Sequence, residues 1–303
     1  MKIIVTDPLA EEAIKVMEKA GAEVEQDFES KDAELAAKIA DFDAIIVRSG
    51  TQVTKEVIEA GKNLKVIGRA GTGLDNVDRE AAESRGIKVL NTPFGNSISA
   101  CEHAIALMLA LCRNVPQGHA SMKAGKWERH AFKGTELYNK TVGIIGLGHI
   151  GLEVAKRLNA FECKVIAYDP FAKEEVFREA KARKVEFDEL LRNSDFITLH
   201  VPKNKDTINL LDSEQFSKMK KGARIVNAAR GGILNEKALL EAIDSGIVAG
   251  AALDVFEKEP PESKELLGNE KIIFTPHQGA NTKEAKVRCG VQIAEYVIEA
   301  LKE

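Results

Sequence analysis

Four polar residues stand just past apolar runs in the second half of the chain. Arg230 closes RIVNAAR, Asp254 and Glu259 fall in AALDVFEKEPP, and His277 ends IIFTPH. Each run reads as a buried strand, so the polar residues come at strand carboxyl ends, where open α/β sheets take their ligands. A histidine that titrates near neutrality can accept a proton from a hydroxyl. A carboxylate beside it favours the imidazolium and fixes the ring. An arginine can clamp a carboxylate in fork geometry and polarise a developing carbonyl. Together these parts suit oxidation of a 2-hydroxy acid. Singly they are ordinary: Arg230 a surface ion pair, Glu259 a solvated loop acid, His277 a turn residue. Their shared sheet edge carries the reading.

Such an oxidation needs a hydride acceptor, and residues 141–169 supply a place for one. The segment is TVGIIGLGHIGLEVAKRLNAFECKVIAYD. Val142, Ile144 and Ile145 form a strand-like run, followed by Gly146, Gly148 and Gly151 as G-x-G-x-x-G. Ile150, Val154, Leu158 and Phe161 then recur at helical spacing, and a second apolar run ends in Asp169. Gly146 permits the tight turn, Gly148 lets a pyrophosphate approach the backbone, and Gly151 lets the helix pack on the strand. Free N–H groups at the helix start favour the bound anion. Asp169, eighteen residues after Gly151, can accept hydrogen bonds from a ribose diol. Pro170 and Phe171 follow it, not a cation, which favours NAD over NADP.

Residues 1–94 alternate apolar runs (2–5, 44–47, 64–67, 88–90) with helical patterns such as 10–20 and 32–40. That rhythm implies a parallel sheet with helices on both faces. Gly71-Thr72-Gly73 follows the run at 64–67 and offers backbone N–H groups to a small carboxylate. Asn91 to Ser97 is a Pro/Gly/Asn-rich break. A long helix follows, with Ser99 and Glu102 at capping-box spacing. It is apolar all round over 104–112, hence buried between domains or subunits. His103, near its start, reads as a packed, satisfied histidine. Six buried strands are predicted between 141 and 275, enough for two βαβαβ halves. A final helix is expected from near Asn281, with Glu284 as cap partner, crossing back to the first domain. The fold class is therefore α/β, with two doubly wound parallel-sheet domains. A Rossmann NAD-binding domain (95–282) is inserted into a flavodoxin-like substrate domain (1–94 and 283–303).

At 303 residues and 44% hydrophobic content the chain can bury a sizeable core. A net charge of −4 without a basic block speaks against nucleic acid. No apolar run reaches membrane-span length, and MKIIVTD enters a strand without a leader, so a cytoplasmic protein is expected. Cys101, Cys112, Cys163 and Cys289 lack C-x-x-C spacing and read as reduced, buried thiols. The histidines lack metal-ligand spacing, so no metal is expected.

The chain resembles the D-isomer-specific 2-hydroxyacid dehydrogenases, essentially from end to end. The resemblance is densest in GRAGTGLDNVD, NTPFGNS, KWER, GIIGLGHIG, NAARGGI, AALDVFEKEPP and TPHQGANTKEA. It implies a catalytic trio: His277 as general base, Glu259 orienting it, and Arg230 on the substrate carboxylate and keto oxygen. It also implies that Thr72, His149, Ile150, Asp169, Ala228, Gly279 and Ala280 line the NAD, with Asp254 near the nicotinamide carboxamide. Val201 and Pro202 would form the adenine rim. Residue 149 is His where many relatives have Arg, and Val201-Pro202-Lys203-Asn204 departs from the usual Thr-Pro-Leu-Thr.

On the substrate side the resemblance adds Arg48, Arg69 and Arg129 as the surroundings of a phosphate, beside the Gly71 and Gly73 turn read above as a carboxylate site. It thereby implies oxidation of 3-phospho-D-glycerate to 3-phosphooxypyruvate, in serine synthesis. The first domain is expected to close over the second, and the 97–112 helix to join a homodimer, with Arg129 supplied by the partner subunit. Longer relatives add serine-sensing modules; ending at Glu303, the chain is expected to lack that feedback. A glyoxylate or hydroxypyruvate reductase would use the same trio. An NAD-sensing corepressor of this fold would need a peptide-docking surface.

Overall fold

The computed structural model describes residues 1–30 and 32–303. Its contacts group into two compact units, Met1–Ser97 with Ala280–Glu303, and Ile98–Gly279.

The first unit opens with β1 (Lys2–Val5), α1 (Glu11–Lys19), β2 (Glu23–Gln26), α2 (Asp32–Lys38) and β3 (Ala44–Val47). It continues with α3 (Lys55–Ala60), β4 (Val66–Arg69), α4 (Arg79–Ser84) and β5 (Lys88–Asn91). Among the described residues these strands form one parallel sheet in the order β2-β1-β3-β4-β5. Successive side chains leave a strand on opposite faces. Accordingly Ile3, Val5, Ala44 and Ile46 enter one core, and Ile4, Ile45 and Val47 the other.

The second unit takes in α5 (Ser97–Arg113), α6 (Val115–Lys123), β6 (Thr141–Ile145), α7 (His149–Ala160) and β7 (Lys164–Tyr168). Then come α8 (Glu174–Ala180), β8 (Arg183–Lys184), α9 (Phe187–Asn193), β9 (Phe196–Leu199) and α10 (Ser213–Ser217). It ends with β10 (Ala223–Asn227), α11 (Glu236–Asp244), β11 (Val248–Leu253), α12 (Lys264–Leu267) and β12 (Ile272–Phe274). Its parallel sheet runs β12-β11-β10-β9-β6-β7-β8 among the described residues. One row of register partners crosses it: Tyr168, Ile145, Leu199, Asn227, Leu253 and Phe274. The candidate loops all leave the sheet just after this row. The order reverses at β6, flanked by β9 and β7, and such a switch point opens a crevice for a ligand.

The last helix, α13 (Lys283–Lys302), belongs to the first unit. Its Ile293, Ala294 and Val297 are fully buried in the core that holds Ile3 and Val5. Burying a side chain of the size of Ile or Val gains roughly 1.5–3 kcal/mol.

Several expectations need correction. The strand placed at 64–67 is β4, Val66–Arg69, because Leu64 closes a turn onto Gly61 O at 3.1 Å instead of extending the sheet. Arg69 is thus the last strand residue, level with Val47 and Asn91. The sheet of the second unit has a seventh strand, the exposed two-residue β8, beyond the six expected. Helix α5 starts at Ser97, so Ser99 lies inside its first turn and is not its cap. The cap of α13 is Thr282, whose hydroxyl accepts from Ala285 N at 3.1 Å, so Asn281 and Glu284 are not the capping pair. The apolar girth of α5 is largely met inside its own unit, where Cys101, Ala104 and Met108 share a core with Val142, Phe196 and Val226.

Among the described residues no single helix is long and apolar enough to cross a membrane. Only α5 and α6 pass such a test together, as a pair bent by 63°.

Candidate active site

The glycine turn lies at the switch point. Gly146 has φ +92°, and a Cβ there would stand 2.6 Å from His200 O. Only glycine fits, because both the left-handed backbone and the neighbouring β9 end exclude a side chain. At Gly151 a Cβ would run into Gly146 O, so α7 sits directly on the turn. Gly148, the residue before α7, is different: nothing lies within 4 Å of its Cβ position. An open N-terminus on a twelve-residue helix, over a closed turn, fits a dinucleotide pyrophosphate. Beside it Ile150 is half-buried and His149 exposed.

Asp169 directly follows β7 beside this turn. Its Oδ2 accepts from Leu147 N at 2.8 Å, and its Oδ1 from Phe171 N at 2.9 Å and Ala172 N at 3.0 Å. The carboxylate therefore shapes both loops it touches. Oδ2, with a single donor, retains lone-pair capacity for a ribose hydroxyl. Val201 lines the turn, with Cγ1 2.7 Å from the Cβ position of Gly146, and Pro202 beyond it is exposed.

His277 and Glu259 meet directly, with Nδ1 2.7 Å from Oε2. Both are partly exposed, His277 by 46% and Glu259 by 38% of the side chain. Glu259 Oε1 accepts from Phe256 N at 3.2 Å, which leaves Oε2 for the imidazole. Burial pushes the Glu259 carboxyl up, but the hydrogen bond and charge of His277 outweigh it, and the net shift is below the ordinary value. With Nδ1 engaged, Nε2 is the nitrogen left for a substrate proton. His277 holds φ +47°, an uncommon conformation for a residue with a side chain.

Arg230 is half-buried past the end of β10, beside the Asp254 strand. Buried Asn227 forms the bend beneath it, donating to Arg230 O at 2.9 Å and accepting from Ala229 N at 3.1 Å. The Arg230 Nη1 donates to Ala229 O at 2.7 Å. Ala228, in the same bend, is half-buried.

Asp254 is 1% exposed. Its Oδ1 accepts from Thr275 Oγ1 at 2.6 Å and Gln278 N at 2.9 Å, with His103 Nε2 at 3.2 Å; its Oδ2 accepts from Gly279 N at 2.8 Å. Its backbone O also accepts from His277 N at 2.8 Å. The geometry thus makes Asp254 the hub of the loop that carries His277, a role the sequence did not reveal. Ala280, next along, is half-buried.

In the first unit Arg48 is half-buried just after β3. Its amide donates to Asp7 Oδ2 at 2.6 Å, and its carbonyl accepts from Asn76 Nδ2 at 2.8 Å. The guanidinium of Arg69 folds against Gly71. The Thr72 hydroxyl donates to Asn96 Oδ1 at 2.6 Å, so it braces the Gly71–Gly73 turn against the 91–97 break. In the second unit Arg129 is exposed in the irregular stretch after α6.

Sequence reasoning passed over His200, which follows β9 in the same strand-end row. Its ring meets buried Thr198 Oγ1 at 2.9 Å, and burial pushes the imidazole down to about 4, leaving it neutral at pH 7. The thiols of Cys101, Cys112 and Cys163 are pushed up to about 11 by burial and are poor nucleophiles. Among the described residues no group of three His, Cys, Asp or Glu could hold a metal.

Residues 105–279 match the model of the D-isomer specific 2-hydroxyacid dehydrogenase, NAD binding domain. A D-3-phosphoglycerate dehydrogenase of Archaeoglobus fulgidus is 53% identical over 100% of this chain and 58% of its own length. One of Methanocaldococcus jannaschii is 51% identical over the same shares, so the chain spans 58% of the length of these curated relatives. The crystal structure of the TT0316 protein from Thermus thermophilus superposes with a TM-score of 0.91 at 32% identity, covering 100% of this chain and 97% of that one. The chain belongs to the D-isomer specific 2-hydroxyacid dehydrogenase family, and residues 105–279 are its NAD-binding domain.

Proposed function

We propose that this protein oxidises 3-phospho-D-glycerate to 3-phosphooxypyruvate, with NAD accepting the hydride, as the first reaction of serine synthesis. The observation that carries the reading is the His277–Glu259 contact of 2.7 Å on the sheet edge that also bears Arg230 and the glycine turn. His277 Nε2 takes the proton of the 2-hydroxyl. Glu259 holds Nδ1 and balances the imidazolium that forms. Arg230 binds the carboxylate and draws charge onto the incipient keto oxygen. Gly148 and the start of α7 hold the pyrophosphate, and Asp169 the ribose. When bound, NAD supplies the two-electron acceptor.

The phosphate part of the reading rests on Arg48 and Arg69 at strand ends of the first unit, with Arg129 as a third cation. It is supported by the name that the Archaeoglobus and Methanocaldococcus relatives carry. Residues 1–94 with 283–303 serve the substrate in this reading, and 95–282 the NAD. Exposed Val115, Met122 and Trp127 on and after α6 suit a homodimer surface. We place the enzyme in the cytoplasm.

The test is NADH formation with 3-phospho-D-glycerate, and NADH consumption with phosphohydroxypyruvate, hydroxypyruvate and glyoxylate. The expected result is a catalytic efficiency clearly highest for the phosphorylated pair. Equal or better turnover of hydroxypyruvate or glyoxylate would keep the trio and move the substrate to a general 2-oxo acid. Peptide binding without turnover would overturn the enzyme reading.

A further inference from the structure

The donors that hold Asp254 divide by origin. Thr275 Oγ1, Gln278 N and Gly279 N all belong to the loop around His277. Among the described residues the remaining polar neighbour of this carboxylate, His103 Nε2 at 3.2 Å, comes from α5, far away in the sequence. His103 stands 3.1 Å from Thr275 Oγ1 and 3.2 Å from Asp254 Oδ1, with 16% of its side chain exposed. The network fixes its tautomer. Thr275 has one hydroxyl proton, used on Asp254 at 2.6 Å, so toward His103 it can only accept. The carboxylate also only accepts. His103 therefore carries a proton on Nε2 and donates it to Thr275, with the Asp254 carboxylate 3.2 Å away.

We infer that His103 is a positioning residue for the catalytic loop: it ties Asp254 and Thr275 to α5 and thereby fixes where His277 presents its ring. The inference rests on the proposed role of His277 as base. α5 is anchored in its unit by Cys101, Ala104 and Met108, which are all but fully buried, so it is a firm reference for the loop. His277 itself is exposed and sits at positive φ, so it gains little order from its own packing. Its position is set by the hydrogen bond that its N–H donates to Asp254 O, by the amides that Asp254 holds after it, and by Glu259. Removing the His103 proton donor leaves a buried carboxylate and a hydroxyl each one partner short. A base displaced by about an ångström loses turnover far more than it loses cofactor binding.

The experiment compares His103→Leu, which removes the donor, with His103→Gln, whose Nε2 can reach the same place, and His103→Asn, which is too short. Three quantities are read on the full chain: kcat with phosphohydroxypyruvate, the NADH dissociation constant by fluorescence, and amide exchange at Gln278 and Gly279. For Leu and Asn, kcat is expected to fall tenfold or more. NADH affinity is expected to stay within about twofold, and the two amides to lose protection. His103→Gln should recover both kcat and protection. Should His103→Leu not fold, the Gln and Asn pair carries the comparison. Leu or Asn with wild-type turnover and protection, or Gln as defective as Asn, would overturn the inference. A wild-type protein without turnover would instead defeat the proposed function, while the exchange measurement would still report on the tie.

Discussion

Two buried aspartates shape two loops of this molecule, by different means. Asp7, 8% exposed, takes the amides of Arg48 and Thr51 on a single oxygen, Oδ2, and Asn76 closes the loop from the other side. Asp254, 1% exposed, uses both oxygens and accepts from two amides and a hydroxyl, with an imidazole at 3.2 Å. The difference follows from what each loop presents. In the proposed function Arg48 reaches a phosphate with a long side chain once its backbone is placed. His277 has a short, rigid ring that must meet Glu259 at 2.7 Å from an uncommon backbone conformation. Reach tolerates a loosely held loop, whereas proton transfer does not.

That contrast can be broken at several points. The largest effect is expected for His277→Ala, a fall in kcat of about 10²–10⁴-fold with NADH affinity little changed. Steady-state kinetics and fluorescence titration read the two. A fall of less than tenfold would place the base elsewhere.

Asp254→Asn should come next. An amide can keep its oxygen on the crowded side, toward Thr275, Gln278 and His103, but then turns its NH₂ against Gly279 N. The lost acceptor is worth about 1–3 kcal/mol of stability by urea unfolding, and kcat should drop with it. Unchanged stability would mean that the Gly279 bond is dispensable. Asp7→Asn should be milder. Its amide oxygen can still serve both Arg48 N and Thr51 N, so the loss should stay near 0.5–1.5 kcal/mol. Its kinetic trace should be a raised KM for the phosphorylated substrate with kcat nearly constant. A kcat effect as large as that of Asp254→Asn would erase the distinction between the two loops.

The smallest effect concerns pH. Burial pushes the Asp254 carboxyl up, but the His103, Thr275 and Gln278 donors outweigh it and hold it below its ordinary 3.8. A depressed carboxyl stabilises the fold above its unfolded value and loses that contribution as pH falls through the folded one. Melting temperature should therefore decline as the medium is acidified below about 3.8, and less steeply in Asp254→Asn. Parallel declines in the two proteins would remove Asp254 from the acid transition.

What was legible in the sequence was local or repetitive. The glycine turn is contiguous, and the need for glycine at Gly146 and Gly151 follows from spacing alone and is met in the close contacts there. Strands such as β3 and β11 are apolar throughout because both of their faces are covered. β2 and β8 were not legible: they are polar, largely exposed edges, with Val24 of β2 their only apolar residue. β4 was misplaced because Leu64, though buried, serves a turn. The placement of Glu259 and His277 on one edge could be inferred from strand ends, and the structure brings them into contact. The bond of His103 to Asp254 joins residues distant in sequence, and nothing local in either segment announces it.

The most direct measurement is a double-mutant cycle on His277 and Glu259, read in kcat/KM for phosphohydroxypyruvate reduction by NADH. If Glu259 acts only through the His277 ring, Glu259→Gln should cost activity in the wild-type background and almost nothing once His277 is replaced by Asn. Equal costs in the two backgrounds would show the carboxylate and the imidazole working independently, and would contradict the catalytic pair at the centre of the site.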